Sequence, residues 1–351
     1  MKKIIGTICF TLTALTIHGQ FAIEVELRPR GECRYGYKEL PDSGDVPAYF
    51  VSQRSRLNVH YNSDKYTMKF SVQDVRVWGD ESIYSSTGVI GDAASIDMHE
   101  AWVSFKTGSI SAIKIGRQEI GINDQRLIIN DQRLISKRNW NQHGVSYNAI
   151  TYTLNHPAVK VDMALSLNNA KENTMGNLYT PDKIKTLNFI NLHRRFSDYL
   201  EISALGILTG NTKSADKEKI YYMSTYGPTV KITKTPLCLN GYFYYQTGHN
   251  KYGKEIEAYL AHSRISYTVE KLVFSCGYDY LSGTKSGSMN DHSFNPLYGT
   301  RHGFYGEMDI FSDFSKDTKG AGLVDMYPTV QYTINAQHTL ELPLFSDSRR
   351  N

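Results

Sequence analysis

From Phe21 onward the chain alternates. Phe21, Ile23, Val25 and Leu27 are apolar, while Glu24, Glu26, Arg28 and Arg30 between them are charged. A period of two marks a β-strand with one apolar and one polar face. The pattern runs on through Cys33 and Tyr35 to Tyr37, far beyond the roughly five or six residues of an ordinary strand. Pro29 and Gly31 interrupt it and predict a bulge. The device then repeats. Arg54, Arg56, Asn58 and His60 oppose Leu57, Val59 and Tyr61, and Lys69, Ser71 and Gln73 oppose Tyr66, Met68, Phe70 and Val72. Long strands that are apolar on one face and charged on the other suit a wall between lipid and water.

The same reading continues to residue 345 and gives about fifteen strands and no convincing amphipathic helix. The connections alternate in length. Those at 62–65, 107–110, 156–157, 197–199, 233–236, 270–271 and 335–336 are short, and those at 38–50, 79–96, 118–143, 169–183, 211–219, 249–256 and 284–321 are longer. Short turns at one end and long loops at the other are the layout of an outer-membrane barrel. The predicted fold is therefore all-β, an antiparallel transmembrane β-barrel. Fifteen is an odd number, whereas bacterial single-chain barrels have an even one. The chain ends in the polar run 346–351, so the expectation is a chain lacking its last strands.

Composition and terminal sequence refine this reading. Met1-Lys2-Lys3, the apolar run Ile4 to Ile17 and the small-residue site at His18-Gly19-Gln20 have the form of a secretory signal peptide. Residues 1–19 are thus expected to be removed and 20–351 to form the barrel. The mean hydropathy of −0.41 would suit a soluble secreted β-protein, but alternation averages a barrel to the same value. The 25 tyrosines favour the barrel, whose wall carries aromatic girdles at both interfaces. The formal charge of +4 includes Lys2 and Lys3, so the mature chain is near neutral and no nucleic-acid role follows. Cys33, Cys238 and Cys276 are odd in number and lack metal-ligand spacing. None of the H-x-x-E-H, G-x-S-x-G or paired-Cys signatures occurs. Asp291-His292 with Asp309 reads as solvated loop chemistry, and Ser55 with His60 is a poor lipase pair. No enzyme, cofactor or metal is expected.

The stretch Gly116 to Tyr147 stands out, with Arg117, Arg126, Arg133, Arg138 and Lys137 between apolar runs. Buried charges cost several kcal/mol, on the order of the desolvation penalty, unless paired or wet. The expectation is that these cations face a water-filled lumen and handle an anionic polymer. Within the stretch, Ile122–Ile128 is repeated as Ile129–Ile135. A seven-residue insertion would swap the faces of a strand, so the repeat is placed in a loop. Arg76 and Arg117 break their strands' parity and are expected in water near the outer rim.

Several ordered motifs resemble the alginate export family of outer-membrane porins. They are Gln73-Asp74-Val75-Arg76-Val77-Trp78, Gly116-Arg117-Gln118-Glu119, the run from Asp131 to Gly144 with Trp140-Asn141-Gln142, and Pro296-Leu297-Tyr298-Gly299-Thr300-Arg301 continuing to Gly306. The resemblance implies an eighteen-stranded monomeric barrel in the Gram-negative outer membrane, with an arginine-rich pore for anionic polysaccharide. Carried over by motif, Asp74, Arg76, Arg117, Gln118, Arg126 or Arg133, Asn141 and Arg301 are implied pore residues. The periodicity itself adds Arg28, Arg30, Arg54 and Arg56 as lumen or rim cations. Arginine forks match carboxylates bidentately, and conduction needs binding weak enough to release. A general anion-selective porin and a surface ligand-binding barrel are the alternatives.

Overall fold

The computed structural model describes residues 21–79, 96–121, 132–169, 171–172, 174–176, 184–212, 219–300, 304–305, 309–311, 314–335, 338–343 and 347–350. The strands are β1 (Phe21–Arg34), β2 (Ala48–Asn62), β3 (Tyr66–Val77), β4 (Asp97–Lys106), β5 (Ser111–Gln118), β6 (Tyr147–Asn155), β7 (Lys160–Leu165) and β8 (Thr186–Arg195). They continue with β9 (Leu200–Thr212), β10 (Ile220–Lys234), β11 (Leu237–His249), β12 (Glu255–Val269), β13 (Leu272–Leu281), β14 (Leu323–Thr333), β15 (Thr339–Pro343) and β16 (Asp347–Arg350). One helical turn, α1 (Phe314–Asp317), lies in the connection between β13 and β14.

Each strand pairs antiparallel with the next in sequence, from β1 through β15, in a single sheet. β15 and β16 pair with different stretches of β14, Thr329–Thr333 and Leu323–Met326. They fill one strand position in two pieces, so fifteen positions result, as the alternation predicts. The polar C-terminal run differs from expectation: Asp347–Arg350 is a strand, because an edge ladder needs backbone groups rather than apolar side chains. Among the described residues no ladder joins β1 to β14, β15 or β16.

The expected bulge at Pro29 and Gly31 is absent. β1 pairs with β2 without interruption from Phe21↔Tyr61 to Arg34↔Ala48. β1 has one ladder among the described residues, and an edge strand tolerates a proline that lacks its donor. The irregularity falls instead between Ser71 and Val72 against β4, where Glu100 and Met98 are consecutive partners. His99 is the extra residue, and both His99 and Glu100 are buried as a result.

The alternation sets the two faces. Ile23 and Val25 are 72% and 74% exposed, while Arg54 across the ladder is 1% exposed. Along β1 and β2 apolar side chains point outward and charged ones inward. Phe21, Tyr61, Tyr66 and Phe105 form an outward chain of rings at the short-turn end, with centroids 4.7, 5.5 and 6.4 Å apart. At the long-loop end Tyr259 and Tyr280 stack at 5.5 Å. These are the two aromatic girdles of a membrane barrel.

The interior is not simply open. Residues 132–146, here the strap, and the segment 282–300 turn inward and pair, with Ile135 bridging Tyr298 in parallel. Tyr298 N donates to Leu134 O at 2.9 Å, and Thr300 N to Gln132 O at 2.9 Å. A Cβ on Gly299 would lie 1.8 Å from Arg133 O, so only glycine allows this approach. Leu134, Ile135, Phe294 and Phe314 pack against inward residues Leu187, Phe189, Leu205, Ile207, Tyr244 and Leu260. A dry apolar cluster therefore fills the interior against the middle and later strands, while the β1–β3 wall stays polar.

The outward placement of Leu57 makes a direct prediction. Leu57→Arg should destabilise the folded barrel in lipid by ~2–4 kcal/mol. The check is a shift of the urea unfolding midpoint in vesicles. An unchanged midpoint would contradict the assignment of faces.

Candidate functional site

The inward arginines of β1 and β2 meet the strap. Arg28 donates from Nε to Gln142 Oε1 (2.9 Å), from Nη1 to Asn139 O (2.7 Å) and from Nη2 to Asn141 O (2.9 Å). Arg30 donates to Trp140 O at 2.7 Å and pairs with Glu32 at 2.8 Å. Arg54 reaches Gln142 O at 3.4 Å and pairs closely with Glu26. Gln142 returns the contact, donating to Ser52 O and Ser52 Oγ at 3.1 and 3.0 Å. Gln73 Nε2 adds a bond to His143 O at 2.9 Å. A run of strap carbonyls is thus gripped by a row of wall cations, which satisfies both sets of buried groups.

At its other end the strap is held by a charge pair. Arg133, 2% exposed, lies 3.0 Å from Asp279 Oδ2 on β13, and its Nη1 donates to Tyr305 OH at 3.2 Å. Its guanidinium sits 4.0 Å from the Phe304 ring centroid. His262 on β12 holds the other oxygen of Asp279 at 2.7 Å and stacks on Tyr242. Arg138 Nε donates to Gly299 O at 2.9 Å and Trp140 Nε1 to Thr300 O at 3.3 Å. The strap therefore ties β12–β13, late in the strand order, to β1–β3 at its start. The expectation of cations in open water is corrected for Arg133: it is buried, because a paired guanidinium among aromatic faces replaces its water.

A second node surrounds Glu119, just beyond β5. His99 Nε2 lies 2.9 Å from Glu119 Oε1, Arg56 Nη1 3.5 Å and Lys137 Nζ 3.6 Å from its oxygens. Arg56 also donates to Gln73 Oε1 at 2.8 Å. Glu100 accepts from Trp102 Nε1 at 3.0 Å and from Glu119 N at 3.1 Å, and it pairs with Lys69. Burial pushes the Glu119 carboxyl up, but the His99 hydrogen bond and the charges of Lys137, His99 and Arg56 outweigh it and bring it down to about 2. Ligand atoms of His99, Glu100 and Glu119 lie within 4.8 Å of one another. Lys69, Arg56 and Lys137 already balance those carboxylates, so a metal ion would have to displace them.

The remaining sequence candidates separate. Gln118 points inward, donating to Ala149 O at 3.0 Å and accepting from Thr151 Oγ1 at 3.0 Å. Asn141 lies on the strap, its side-chain oxygen accepting from His143 N at 3.1 Å. Asp74 and Arg76 share the outward parity of Phe70 and pair with each other at 2.7 Å. Arg117 keeps the outward parity of Ile113 and Ile115 and donates to Met98 O at 2.8 Å. Gly116 pairs with Trp102 in unbroken register, and the bulge lies on β4. These three form an outward-facing polar group at the long-loop end. Arg126 and Arg301 lie outside the described residues, as do residues 1–20 and the first copy of the repeat. Ser55 and His60 stand on opposite faces of β2. Asp291 accepts from Thr284 Oγ1 and Ser293 N at 2.9 and 3.0 Å, closing a loop.

Sequence reading missed Gln142, His99, Glu119, Asp279 and His262. Gln142 and Glu119 lie inside quoted motifs, and Asp279 shows as a charge on the inward parity of β13. Only folding brings them to their arginines.

Two outcomes follow from these pairs. Asp279→Asn leaves the buried Arg133 charge uncompensated and should cost ~3–5 kcal/mol, read as a lower denaturant midpoint together with faster proteolysis of 132–146. Glu119 is depressed below the ordinary carboxylate value of roughly 4.3. Its contribution is complete above that value and is lost as pH falls towards about 2. Glu119→Gln should therefore be less stable than the parent chain at pH 7, with the gap between denaturation midpoints closing as pH approaches 2.

Comparison with known proteins completes the picture. No curated protein sequence matches the chain. Among solved structures, OccAB4 of Acinetobacter baumannii is similar with a TM-score of 0.54 at 12% identity, covering 90% of this chain and 78% of that one. OmpT, an outer membrane protein of Vibrio cholerae in a trimer form, has a TM-score of 0.51 at 10% identity, covering 95% and 90%. An anion-selective porin from Comamonas acidovorans has a TM-score of 0.51 at 10% identity, covering 92% and 87%. At these identities the likeness is one of fold, an outer-membrane β-barrel. The family model described as Alginate export matches residues 41–312, a span holding β2 to β13, the strap and the paired inner segment. With the apolar wall turned outward and the family's motifs in order, the chain belongs to the alginate export family and is an outer-membrane channel protein.

Proposed function

We propose that this channel passes anionic oligo- or polysaccharide, with uronate polymers such as alginate the favoured cargo, and that the strap gates it. The reading includes a non-enzymatic, monomeric barrel formed by residues 20–351 after loss of a signal peptide at 1–19. One observation carries it. The three hydrogen bonds from Arg28 to the strap all end on neutral oxygens, two carbonyls and one amide. A carboxylate adds its own charge to the bond with a guanidinium and can take it bidentately, which a carbonyl cannot. A chain carrying repeated carboxylates can therefore replace the strap at Arg28 and Arg30. Arg54 and Arg56 are partly neutralised by Glu26 and Glu119. That keeps the wall from binding the polymer too tightly for onward movement.

In this reading Gln118 and Asn141 shape the passage, and Arg133 is the fixed anchor about which the strap moves. Asp74, Arg76 and Arg117 condition the outer rim, and Arg126 and Arg301 are pore residues on the family resemblance. Membership of the alginate export family and the anion selectivity of the Comamonas acidovorans porin are in keeping with anionic cargo. A second reading, a surface barrel that grips ligand without conducting, draws on the filled interior, and conductance separates the two.

Single-channel recording tests the proposal. The folded protein should prefer anions and be blocked by oligouronate. Arg28→Ala should increase open time about tenfold, since ~1.4 kcal/mol of lost strap contacts suffices for that factor and each charged hydrogen bond contributes ~1.5–3 kcal/mol. A conducting pore with no anion preference would overturn the cargo. Ligand binding without any conductance would favour the second reading.

A further inference from the structure

The cations of β1 and β2 are occupied by the strap and by neighbouring carboxylates. The wall from β8 to β14 is arranged differently. One register row crosses it: Arg195↔Glu201, Glu201↔Lys231, Lys231↔Asn240, Asn240↔Arg264, Arg264↔Gly277 and Gly277↔Tyr327. These residues share the parity of the buried inward positions beside them, among them His193, Thr229, His262 and Asp279. The row thus lines the interior.

The row also climbs. Arg195 ends β8 at a short turn, Lys231 lies three residues before Lys234, Arg264 five before Val269 and Tyr327 six before Thr333. At ~3.3 Å per residue the far end stands about 20 Å along its strand from the short-turn mouth. The cations recur on every second strand, about 10 Å apart by the ~4.8 Å strand spacing. At the foot a cavity of about 210 Å³ is lined by His156, Lys160, His193, Arg195 and Glu201. At the top Arg264 lies two residues from His262, beside the anchor that holds Arg133.

The chemistry of the row is that of a carboxylated sugar chain. Arg264 touches Thr329 Oγ1 at 3.5 Å, a marginal neutral contact, and Arg195 holds only its own turn, donating to Ser197 O at 3.2 Å and Asp198 O at 3.3 Å and pairing at 3.4 Å with the fully exposed Asp198 side chain. Among the described residues Lys231 makes no ion pair. Tyr327 lies across Gly277, where an added Cβ would come within 2.1 Å of the ring. An aromatic face beside spaced cations offers an apolar platform to a sugar ring and acceptor-seeking forks to its carboxylates. Glu201 interrupts the cations and weakens the hold, as stepwise passage requires.

We propose that this row is the loading track for a carboxylated oligosaccharide reaching the barrel from its short-turn mouth. It delivers the chain to the strap anchor before the β1–β2 arginines are engaged. The inference rests on the channel reading above and adds the route.

The test adds oligogalacturonate to one side or the other of the full-length channel in a planar bilayer, alongside equilibrium binding of a fluorescent oligogalacturonate to the detergent-folded protein. Lys231→Gln with Arg264→Gln should raise the half-blocking concentration from the short-turn side, and the dissociation constant, about tenfold, the loss of one to two charge-assisted bonds. Block from the opposite side should stay within about twofold on the same grounds. The charge-keeping pair Lys231→Arg with Arg264→Lys should retain block, which separates loss of the track from misfolding. Unchanged block and binding in an anion-preferring neutral variant would overturn the track and leave the channel reading intact. A parent chain without anion preference or oligogalacturonate binding would overturn both.

Discussion

A guanidinium removed from water must be given acceptors, and in this barrel the acceptors are backbone carbonyls. Arg28, Arg30 and Arg54 point inward because the strand period leaves them nowhere else to go while Ile23, Val25 and Leu57 face lipid. Residues 139–142 supply oxygens that water would otherwise provide. The strap in turn has carbonyls with no ladder of their own. Each side resolves the other's unsatisfied groups, and this exchange fixes where the strap lies and what fills the interior.

The two ends of the strap are held by different physics. At Arg133 the partner is a buried carboxylate steadied by His262, so separation would strand a charge of each sign in a dry, aromatic pocket. At Arg28 the partners are neutral, and a competing anion leaves no charge stranded. A segment with one strong and one exchangeable attachment has a natural direction of movement. The hydrophobic cluster around Leu134, Ile135 and Phe294 sits at the strong end, which adds to the difference.

The charge nodes also divide the interior. Glu119 and Glu100 gather His99, Arg56, Lys137 and Lys69 into a balanced patch on the β2–β5 wall. On the opposite wall Lys231 and Arg264 have fewer partners. A polymer moving through such a space meets weakly engaged cations low on one wall before reaching cations already occupied on the other. Alternation places all of these residues inward, but only the inserted segments decide which of them are taken.

The sequence alone determined the wall. The period of two fixed which side chains meet lipid, the alternating connections fixed which end carries short turns, and ordered motifs carried the family. It also marked Arg28, Arg30, Arg54 and Arg56 as inward. It left the surroundings of Arg76 and Arg117 open, because parity near a strand end depends on where a bulge falls, and the bulge lies at His99. Tertiary structure decided what the inward cations touch. Arg133 meets Asp279 across 146 positions of sequence, and Arg28 meets Gln142 across 114. No local pattern encodes such meetings, because an inserted segment finds its acceptors only once the wall has formed around it.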